Sequence, residues 1–260
     1  MERGTSKSGK LSGRSQISSV MRSVRYFQAT SDTDREKIYR LRYDAYLAEG
    51  AIGEAPSRMF SDRHDEDVNA FVLGIEIDDA LVASIRLHIT TPECRVGPAM
   101  DVFGAELTPL LDKGESFVDP TRFVVDHSVR KMTTLLPFAG LRLGSMLADH
   151  FDATYMLATV RPEHVPFYDR ICLLHPRTPA RHYPGLKKPI ALCYNDMQTL
   201  RRELHPKFPV FQSTAGERAE LYGPSTSLVD RARWAGSAND NAARRFSWKQ
   251  ATGQTAGMTA

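Results

Sequence analysis

The sequence predicts a mixed α/β (α+β) fold, in which helices flank one mostly antiparallel sheet. First, segments with the apolar pattern of strands alternate with segments whose apolar residues recur at helical spacing, from about residue 23 to residue 222. Second, a short acidic turn over residues 78–80 separates two strand-like segments, which predicts an antiparallel hairpin. Third, helical segments separate the later strands, as is typical of crossover connections within one sheet.

Each element follows from a local signal. Ser31 or Asp32 caps the first helix, which ends near Gly50 and is followed by a polar, acidic loop over residues 53–69. In chain order, the predicted strands cover residues 24–29, 70–77, 81–90, 115–126 and 155–160, with further extended stretches at 178–183 and 189–194. The predicted helices cover residues 33–48, 98–111, 135–151, 163–171 and 196–204.

The two ends of the chain differ in composition from its middle. Residues 1–22 are rich in Ser, Gly, Lys and Arg and contain a single acid, so we expect a disordered basic arm. Residues 223–260 form a low-complexity tail, which leaves one folded domain over residues 23–222. A basic arm of this kind favours peripheral contact with an anionic membrane surface, although most basic tails are simply solvated.

Composition excludes several classes of protein. No apolar run approaches the roughly 20 residues of a membrane span, and the N-terminus lacks the apolar region of a secretory signal. Three isolated cysteines and scattered histidines show neither a disulfide framework nor metal-ligand spacing. The net charge of +3 is mild. We therefore expect a cytoplasmic protein with no metal, no cofactor and no nucleic-acid partner.

Two segments place charged residues among apolar ones. FVDPTRFV puts Asp119 and Arg122 in a strand pattern, and IYRLRYDAY puts Arg42 and Tyr46 on the first helix. Burying such charges is costly unless they are paired or used in chemistry. The two segments therefore predict a shared polar cavity, and the alternative is a structural ion pair between Asp119 and Arg122.

Four segments in register carry a family resemblance: YRLRYDAY, SDRHDEDVNAF, ASIRLH and VDPTRFVVD. Together they resemble the long-chain N-acyl amino acid synthases of the FeeM type, relatives of the acyl-homoserine lactone synthases. The resemblance covers about residues 24–195. It implies the fold of the GCN5-related N-acyltransferases (GNAT), with the fourth and fifth strands splayed apart.

The resemblance also implies roles for single residues. Asp119 matches the position of a general base, although the lactone synthases commonly have Glu there. The positions that match substrate-binding residues are Arg42, Tyr46, Arg86, Thr121, Arg122 and Phe123, and those that match a supporting acidic pair are Asp62 and Asp65. Of the two strand arginines, we expect Arg86 to bind the carboxylate of an acceptor. The simpler alternatives are that the charged residues form structural ion pairs and that Tyr46 serves only in packing.

The implied reaction is direct transfer of a long-chain acyl group from a thioester to the amine of an amino acid. The segment LPFAGLRLGSML lacks a tight glycine cluster for phosphates, which favours acyl carrier protein over coenzyme A as donor. Carrier proteins are acidic, so Arg130, Lys131 and Arg142 are candidate contacts, unless they form an ordinary solvated face. The alternatives are a lactone synthase that uses S-adenosylmethionine and a non-catalytic acyl-binding protein.

Overall fold

A computed structural model describes residues 21–132, 135–182 and 188–223. Most of the arm (1–22) and of the tail (223–260) lies outside these residues. In the described part, seven strands form one sheet: β1 (Val24–Gln28), β2 (Ala70–Ile77), β3 (Ala80–Thr90), β4 (Phe117–Val125), β5 (Tyr155–Val160), β6 (His175–Pro176) and β7 (Ala191–Asp196). The helices are α1 (Asp32–Ala48), α2 (Pro98–Asp112), α3 (Leu136–Phe151), α4 (Val165–Arg170), α5 (Met197–Thr199) and α6 (Ala215–Tyr222).

The strand order is β1-β2-β3-β4-β5-β7-β6, and every neighbouring pair is antiparallel except β4 and β5. The hairpin between β2 and β3 turns at Asp78 and Asp79, whose φ angles of 51° and 62° are left-handed. Such angles match a tight turn between twisted strands. The mixed, mostly antiparallel sheet that the sequence predicts is confirmed.

The sheet opens between β4 and β5. Among the described residues, these parallel strands pair at Phe117 with Tyr155 and at Val118 with Met156, and nowhere beyond. We call the point after these pairs, where Asp119 follows, the fork. A second irregularity lies further along β4, where the register with β3 shifts and Arg122 has a φ of 54°. A bulge of this kind bends a strand and changes the direction of its side chains.

The two faces of the sheet are covered differently. On one face α3 packs against apolar residues of β3 and β4, and Tyr222 of α6 donates a hydrogen bond to the carbonyl of Leu143, 2.8 Å away. On the other face α2 buries Phe103 and Leu107 against Phe117 and other residues of the sheet. No described helix is long and apolar enough to cross a membrane.

The structure departs from the predicted elements in the C-terminal third. The helix predicted over residues 163–171 is a 3₁₀ turn (Pro162–His164) followed by α4, and that over 196–204 is α5 followed by a π-helical turn (Leu200–Leu204). Helix α6 is absent from the predicted elements, although Thr214 and Glu217 form a capping box at its start.

Candidate active site

Five charged residues from four parts of the chain meet on the face covered by α1 and α2. We call them the ionic cluster: Arg42 of α1, Asp62 and Asp65 of the loop, Arg86 of β3 and Arg122 of β4. Arg42 donates from Nη1 to Oδ1 of Asp65 at 2.8 Å, and both side chains are fully buried. This bond ties α1 to the loop, 23 residues further along the chain.

Arg86 lies at the centre of the ionic cluster. Its Nη1 is 2.5 Å from Oδ1 of Asp62 and 3.1 Å from Oδ1 of Asp65. Its Nε donates to the hydroxyl of Thr121, its register partner on β4, at 3.2 Å. The side chain is 1% exposed. Arg86 is thus engaged with protein groups, and the structure leaves it little capacity to bind an acceptor carboxylate, the role for which the sequence analysis preferred it.

Arg122 is the most exposed arginine of the ionic cluster, with 17% of its side chain accessible. It donates from Nε and Nη2 to Oδ2 of Asp62, at 2.9 and 2.6 Å. Its guanidinium carbon lies 5.9 Å from the ring centre of Tyr46 and 5.1 Å from that of Phe60. The alternative of a structural ion pair between Arg122 and Asp119 is wrong, because the bulge in β4 directs Arg122 toward the loop.

The loop carboxylates are held in place by their own turn. Asp62 caps the 3₁₀ helix Arg63–Glu66, and Oδ2 of Asp65 accepts the backbone N–H of Asp62 at 2.9 Å. Burial alone would raise the pKa of Asp62, but the charges of Arg86 and Arg122 outweigh it and hold that pKa well below its usual range. Burial would also raise the pKa of Asp65, but the charges of Arg42 and Arg86 outweigh it and lower that pKa. Both carboxylates are therefore ionised.

The ionic cluster is short of negative charge. Three guanidiniums face two carboxylates, so these described residues carry a net charge of +1. Nε and Nη2 of Arg42 have no hydrogen-bond partner among the described residues, although both are buried. A buried cation without full compensation is costly. Of the three arginines, Arg122 is the one that is partly exposed, so solvent reaches the excess charge at Arg122.

Asp119 lies at the fork and is 1% exposed. Its Oδ2 accepts the backbone N–H of Ala99, in the first turn of α2, at 3.0 Å. Burial raises the pKa of Asp119 to about 7, against the opposing effects of the Ala99 N–H, the charge of Arg86 and the Thr159 hydroxyl. A carboxyl with such a pKa takes up and releases a proton near neutral pH, as a general base must.

A second polar group, which is not among the predicted site residues, lies beside the ionic cluster. Nδ1 and Nε2 of His64 lie 2.7 Å from Asp67 and 2.9 Å from Asp101, while Nε2 of His88 is 3.2 Å from the same Asp67 oxygen. Burial would lower the pKa of His64, but the hydrogen bonds to both carboxylates outweigh it and raise that pKa. The signal in the sequence was that Arg86 and His88 occupy alternate positions of one strand, which places both side chains on the same face.

His64, Asp67 and His88 are also the described residues that come nearest to a metal-binding group, with ligand atoms within 4.8 Å of one another. Two ligand atoms on one tetrahedral zinc lie about 3.3 Å apart. The 2.7 Å between His64 and Asp67 is shorter and matches a charge-assisted hydrogen bond. We therefore assign these contacts to hydrogen bonding.

The other predicted site residues lie elsewhere. Phe123 is on the opposite face, where a Cβ on Gly140 of α3 would come within 2.8 Å of its ring. Arg142 donates to the carbonyls of Val210 and Gln212 and to Glu217, so its guanidinium holds the C-terminal segment. The side chains of Arg130 and Lys131 lie outside the described residues. Contact of this basic group with a carrier protein stays a prediction.

Comparison with known proteins gives matches over the same region. Residues 37–196, which include the whole ionic cluster and Asp119, match the family model described as the N-acyl amino acid synthase FeeM. The solved structure of FeeM, an N-acyl amino acid synthase from uncultured soil microbes, superposes with a TM-score of 0.56 at 16% identity. The match covers 71% of this chain and 96% of that one.

Two acyl-homoserine lactone synthases are similar in structure. BjaI, a CoA-dependent enzyme solved with SAM and isopentyl-CoA, gives a TM-score of 0.54 at 17% identity, over 81% of this chain and 98% of its own. The AHL synthase LasI gives 0.50 at 14% identity, over 68% and 92% of the two chains. These similarities confirm the predicted GNAT-like fold. A search of curated protein sequences gave no significant match.

Proposed function

The chain belongs to the FeeM family of N-acyl amino acid synthases, and we propose that it transfers a long-chain acyl group from acyl carrier protein to the amine of an amino acid. Family membership makes it an N-acyltransferase of the autoinducer-synthase-like kind. The carrier-protein donor and the amino-acid acceptor are the proposed parts. We also propose that the reaction runs in the cytoplasm and needs no cofactor beyond the acyl thioester.

The buried carboxyl of Asp119 at the fork is the observation that carries this proposal. With a pKa of about 7, its carboxylate accepts a proton from the ammonium group of the acceptor. The freed amine attacks the thioester carbonyl carbon, and the tetrahedral intermediate collapses to an amide and a thiolate, which takes up a proton. No protein nucleophile is required.

The separation of β4 from β5 supports the donor side of the reaction. Beyond Val118 and Met156 the described parts of these strands no longer pair with each other, and we assign this opening in the sheet to an extended thioester. Backbone N–H groups at such edges stabilise the negative charge that develops on the carbonyl oxygen. This role does not depend on a particular side chain.

The net positive charge of the ionic cluster supports an acceptor that carries a carboxylate. Arg122 is the arginine we propose for this contact, because it is partly exposed and lies on the bulge, close to the fork. A guanidinium binds a carboxylate through two parallel hydrogen bonds. Arg86, which the sequence analysis preferred, positions Asp62 and Thr121 instead.

The glycines of α3 support a carrier-protein donor. Gly140 and Gly144 lie within the helix, where a Cβ would come within 2.8 Å of Phe123 and 3.2 Å of Met156. Their small size therefore serves close packing between helix and sheet, and neither is engaged as part of a phosphate-binding turn. A carrier protein brings its thioester on a long arm and does not need a nucleotide site.

The test is a mass-spectrometric assay of the purified full chain with a long-chain acyl–carrier protein and a mixture of amino acids. We expect N-acyl amino acids in the wild type and almost none in Asp119→Asn. The matched acyl–coenzyme A should give a lower kcat/KM, and salt should weaken the carrier-protein reaction more. Formation of acyl-homoserine lactone from S-adenosylmethionine would contradict the proposal, as would acyl binding without turnover.

A further inference from the structure

The first turn of α2 contacts the proposed base and has no cap of its own. Its N-cap, Gly97, has no side chain to accept the free N–H groups with which a helix begins. Oδ2 of Asp119 takes that role from β4, because it accepts the N–H of Ala99 at 3.0 Å. The backbone is non-helical at Phe103, so a kink separates this turn from the rest of α2. The carboxyl of Asp119 is therefore held by a turn that lies apart from the body of the helix.

His64 anchors this turn from the other side. Its Nε2 lies 2.9 Å from Oδ2 of Asp101, two residues after Ala99 in the same turn. Its Nδ1 lies 2.7 Å from Oδ2 of Asp67, the C-cap of the short helix Arg63–Glu66. The residue is 5% exposed, so little water competes for either bond. One imidazole thus joins the acidic loop to the first turn of α2.

The two bonds determine the charge of the His64 ring. A neutral imidazole has one N–H, and an ionised carboxylate only accepts hydrogen bonds. Burial would raise the pKa of Asp67, but its hydrogen bonds to His64 and His88 outweigh it and hold that pKa well below its usual range. Asp101 forms an ion pair with Arg63 at 2.5 Å. Two carboxylate partners require both ring nitrogens to donate, so His64 is an imidazolium.

We infer that His64 is a positioning residue of the reaction: as an imidazolium it holds the first turn of α2 against the acidic loop, and so keeps the N–H of Ala99 directed at the carboxyl of Asp119. The inference rests on the proposed function, in which Asp119 is the base. His64 also acts through its charge. Burial raises the pKa of Asp119, and the positive charge of His64 opposes this rise.

Other titratable and charged groups surround His64. His88 lies edge-to-face with it, with 5.8 Å between the ring centres, but burial lowers the pKa of His88 and keeps that ring neutral. The remaining groups are Asp67 and Arg63 of the loop, Arg86 of β3, Asp101 of α2 and Asp119 of β4. A pH profile alone therefore does not isolate His64, and the test needs measurements at single residues.

Imidazole ¹⁵N NMR of the labelled full chain tests the charge of His64 and needs no substrate. At about pH 7, where an ordinary histidine is mostly neutral, we expect both nitrogens of His64 to be protonated. A neutral His64 at this pH would overturn the inference. A stoichiometric metal ion in the purified protein would do the same, because a coordinating nitrogen carries no proton.

Amide hydrogen exchange tests whether the imidazole holds the turn. The variant is His64→Gln, since glutamine is neutral and its amide reaches one of the two carboxylates. We expect the N–H of Ala99 to exchange roughly tenfold faster or more, because its turn loses the anchor. The N–H of Leu107, beyond the kink, should keep its rate. Unchanged exchange at Ala99 in the folded variant would overturn the inference.

The functional consequence is a shift of the pH profile together with slower turnover. Without the charge of His64 the pKa of Asp119 rises further, so the acid limb of kcat/KM should move up by roughly half to one pH unit in His64→Gln. Loss of alignment should lower kcat roughly tenfold, with the amino-acid KM nearly unchanged because Arg122 is not altered. A role in stability alone would lower the melting temperature and leave the acid limb in place, which would overturn the inference.

The matched control is His205→Gln, which changes another buried histidine, in the segment after β7, and should keep the wild-type acid limb and exchange rates. If His64→Gln does not fold, Asp101→Asn carries the same expectation for the exchange of Ala99 from a partly exposed position, because an amide is a weaker partner for an imidazolium. If the wild type forms no N-acyl amino acid, the proposed function fails, while NMR and hydrogen exchange still decide whether His64 holds the turn.

Discussion

In the ionic cluster each carboxylate faces two guanidiniums, whereas Asp119 at the fork has no guanidinium within ion-pair distance among the described residues. Asp65 and Asp119 are similarly buried but have opposite outcomes: Asp65, like the partly exposed Asp62, is held ionised, whereas the pKa of Asp119 is raised to about 7. Opposed pKa shifts among neighbouring carboxylates separate the groups that bind charge from the group that transfers a proton.

The ionic cluster and Asp119 also differ in what we expect each to support within the site, folding in one case and catalysis in the other. The ionic cluster joins α1, the loop, β3 and β4, so breaking it should affect folding first. Asp119 is held by neutral groups, the backbone N–H of Ala99 and the hydroxyl of Thr159, so its replacement by a neutral isostere should affect catalysis first. Four predictions test this division, beginning with the largest expected effect.

Arg42→Ala should destabilise the fold by about 3–5 kcal/mol, because it leaves Asp65 buried with one guanidinium fewer. Urea denaturation at neutral pH measures the change. Arg40→Ala, two residues earlier on the same helix, removes the exposed pair with Glu36 and should cost less than about 0.5 kcal/mol. Equal losses in the two variants would contradict the structural role of the ionic cluster.

Stability should depend on pH in opposite directions in the two regions. The raised pKa of Asp119 means that the folded chain holds this proton more tightly, so its contribution is complete below pH 3.8 and is lost as pH rises to about 7. The lost contribution is at most about 4 kcal/mol. Asp62 and Asp65, with lowered pKa values, contribute stability that is lost as pH falls through their acidic range.

Denaturation of Asp119→Asn between about pH 4 and pH 8 isolates the first of these effects. The variant should lose less stability than the wild type on going to high pH. Asp112→Asn, which changes an exposed aspartate at the end of α2, should keep the wild-type dependence. A wild-type slope in Asp119→Asn would show that this carboxyl keeps an ordinary pKa in the folded state.

Asp119→Asn should reduce turnover by roughly 10²-fold or more while the cooperative unfolding transition is retained. The amide keeps the size of the side chain and still accepts the N–H of Ala99, but it does not accept a proton. Steady-state assays with saturating donor and acceptor measure the effect. Near-normal turnover in the folded variant would remove Asp119 from the mechanism.

Arg122→Lys should raise the amino-acid KM about tenfold and leave the acyl-donor KM nearly unchanged, because lysine keeps the charge but loses the planar two-point contact. The comparison variant is Arg86→Lys, which removes bonds to Asp62 and Thr121 and should lower stability without a selective effect on the acceptor. If Arg86→Lys instead shows the selective KM effect, the carboxylate contact belongs to Arg86.

The sequence by itself determined most elements of the sheet and the identity of the charged residues, but the extended stretch predicted over residues 178–183 does not coincide with β6. Apolar periodicity and capping residues act within a few neighbours, so the bounds of α1, β2 and β5 agree with their predictions to within a residue. The same local signals indicated that Asp119 and Arg122 enter an apolar strand. The capping box was a signal for the start of α6, but no long stretch of apolar residues at helical spacing accompanied it.

Tertiary structure decided which charged groups meet. The bulge in β4 is a property of its register with β3, and it directs Arg122 to Asp62, 60 residues away, instead of to Asp119. His88 and Asp119 are cross-strand neighbours on β3 and β4, and such neighbours are set by non-local pairing. Sequence patterns report the period of a strand but not its register, and in this protein the register decides which charged side chains of β3 and β4 are neighbours.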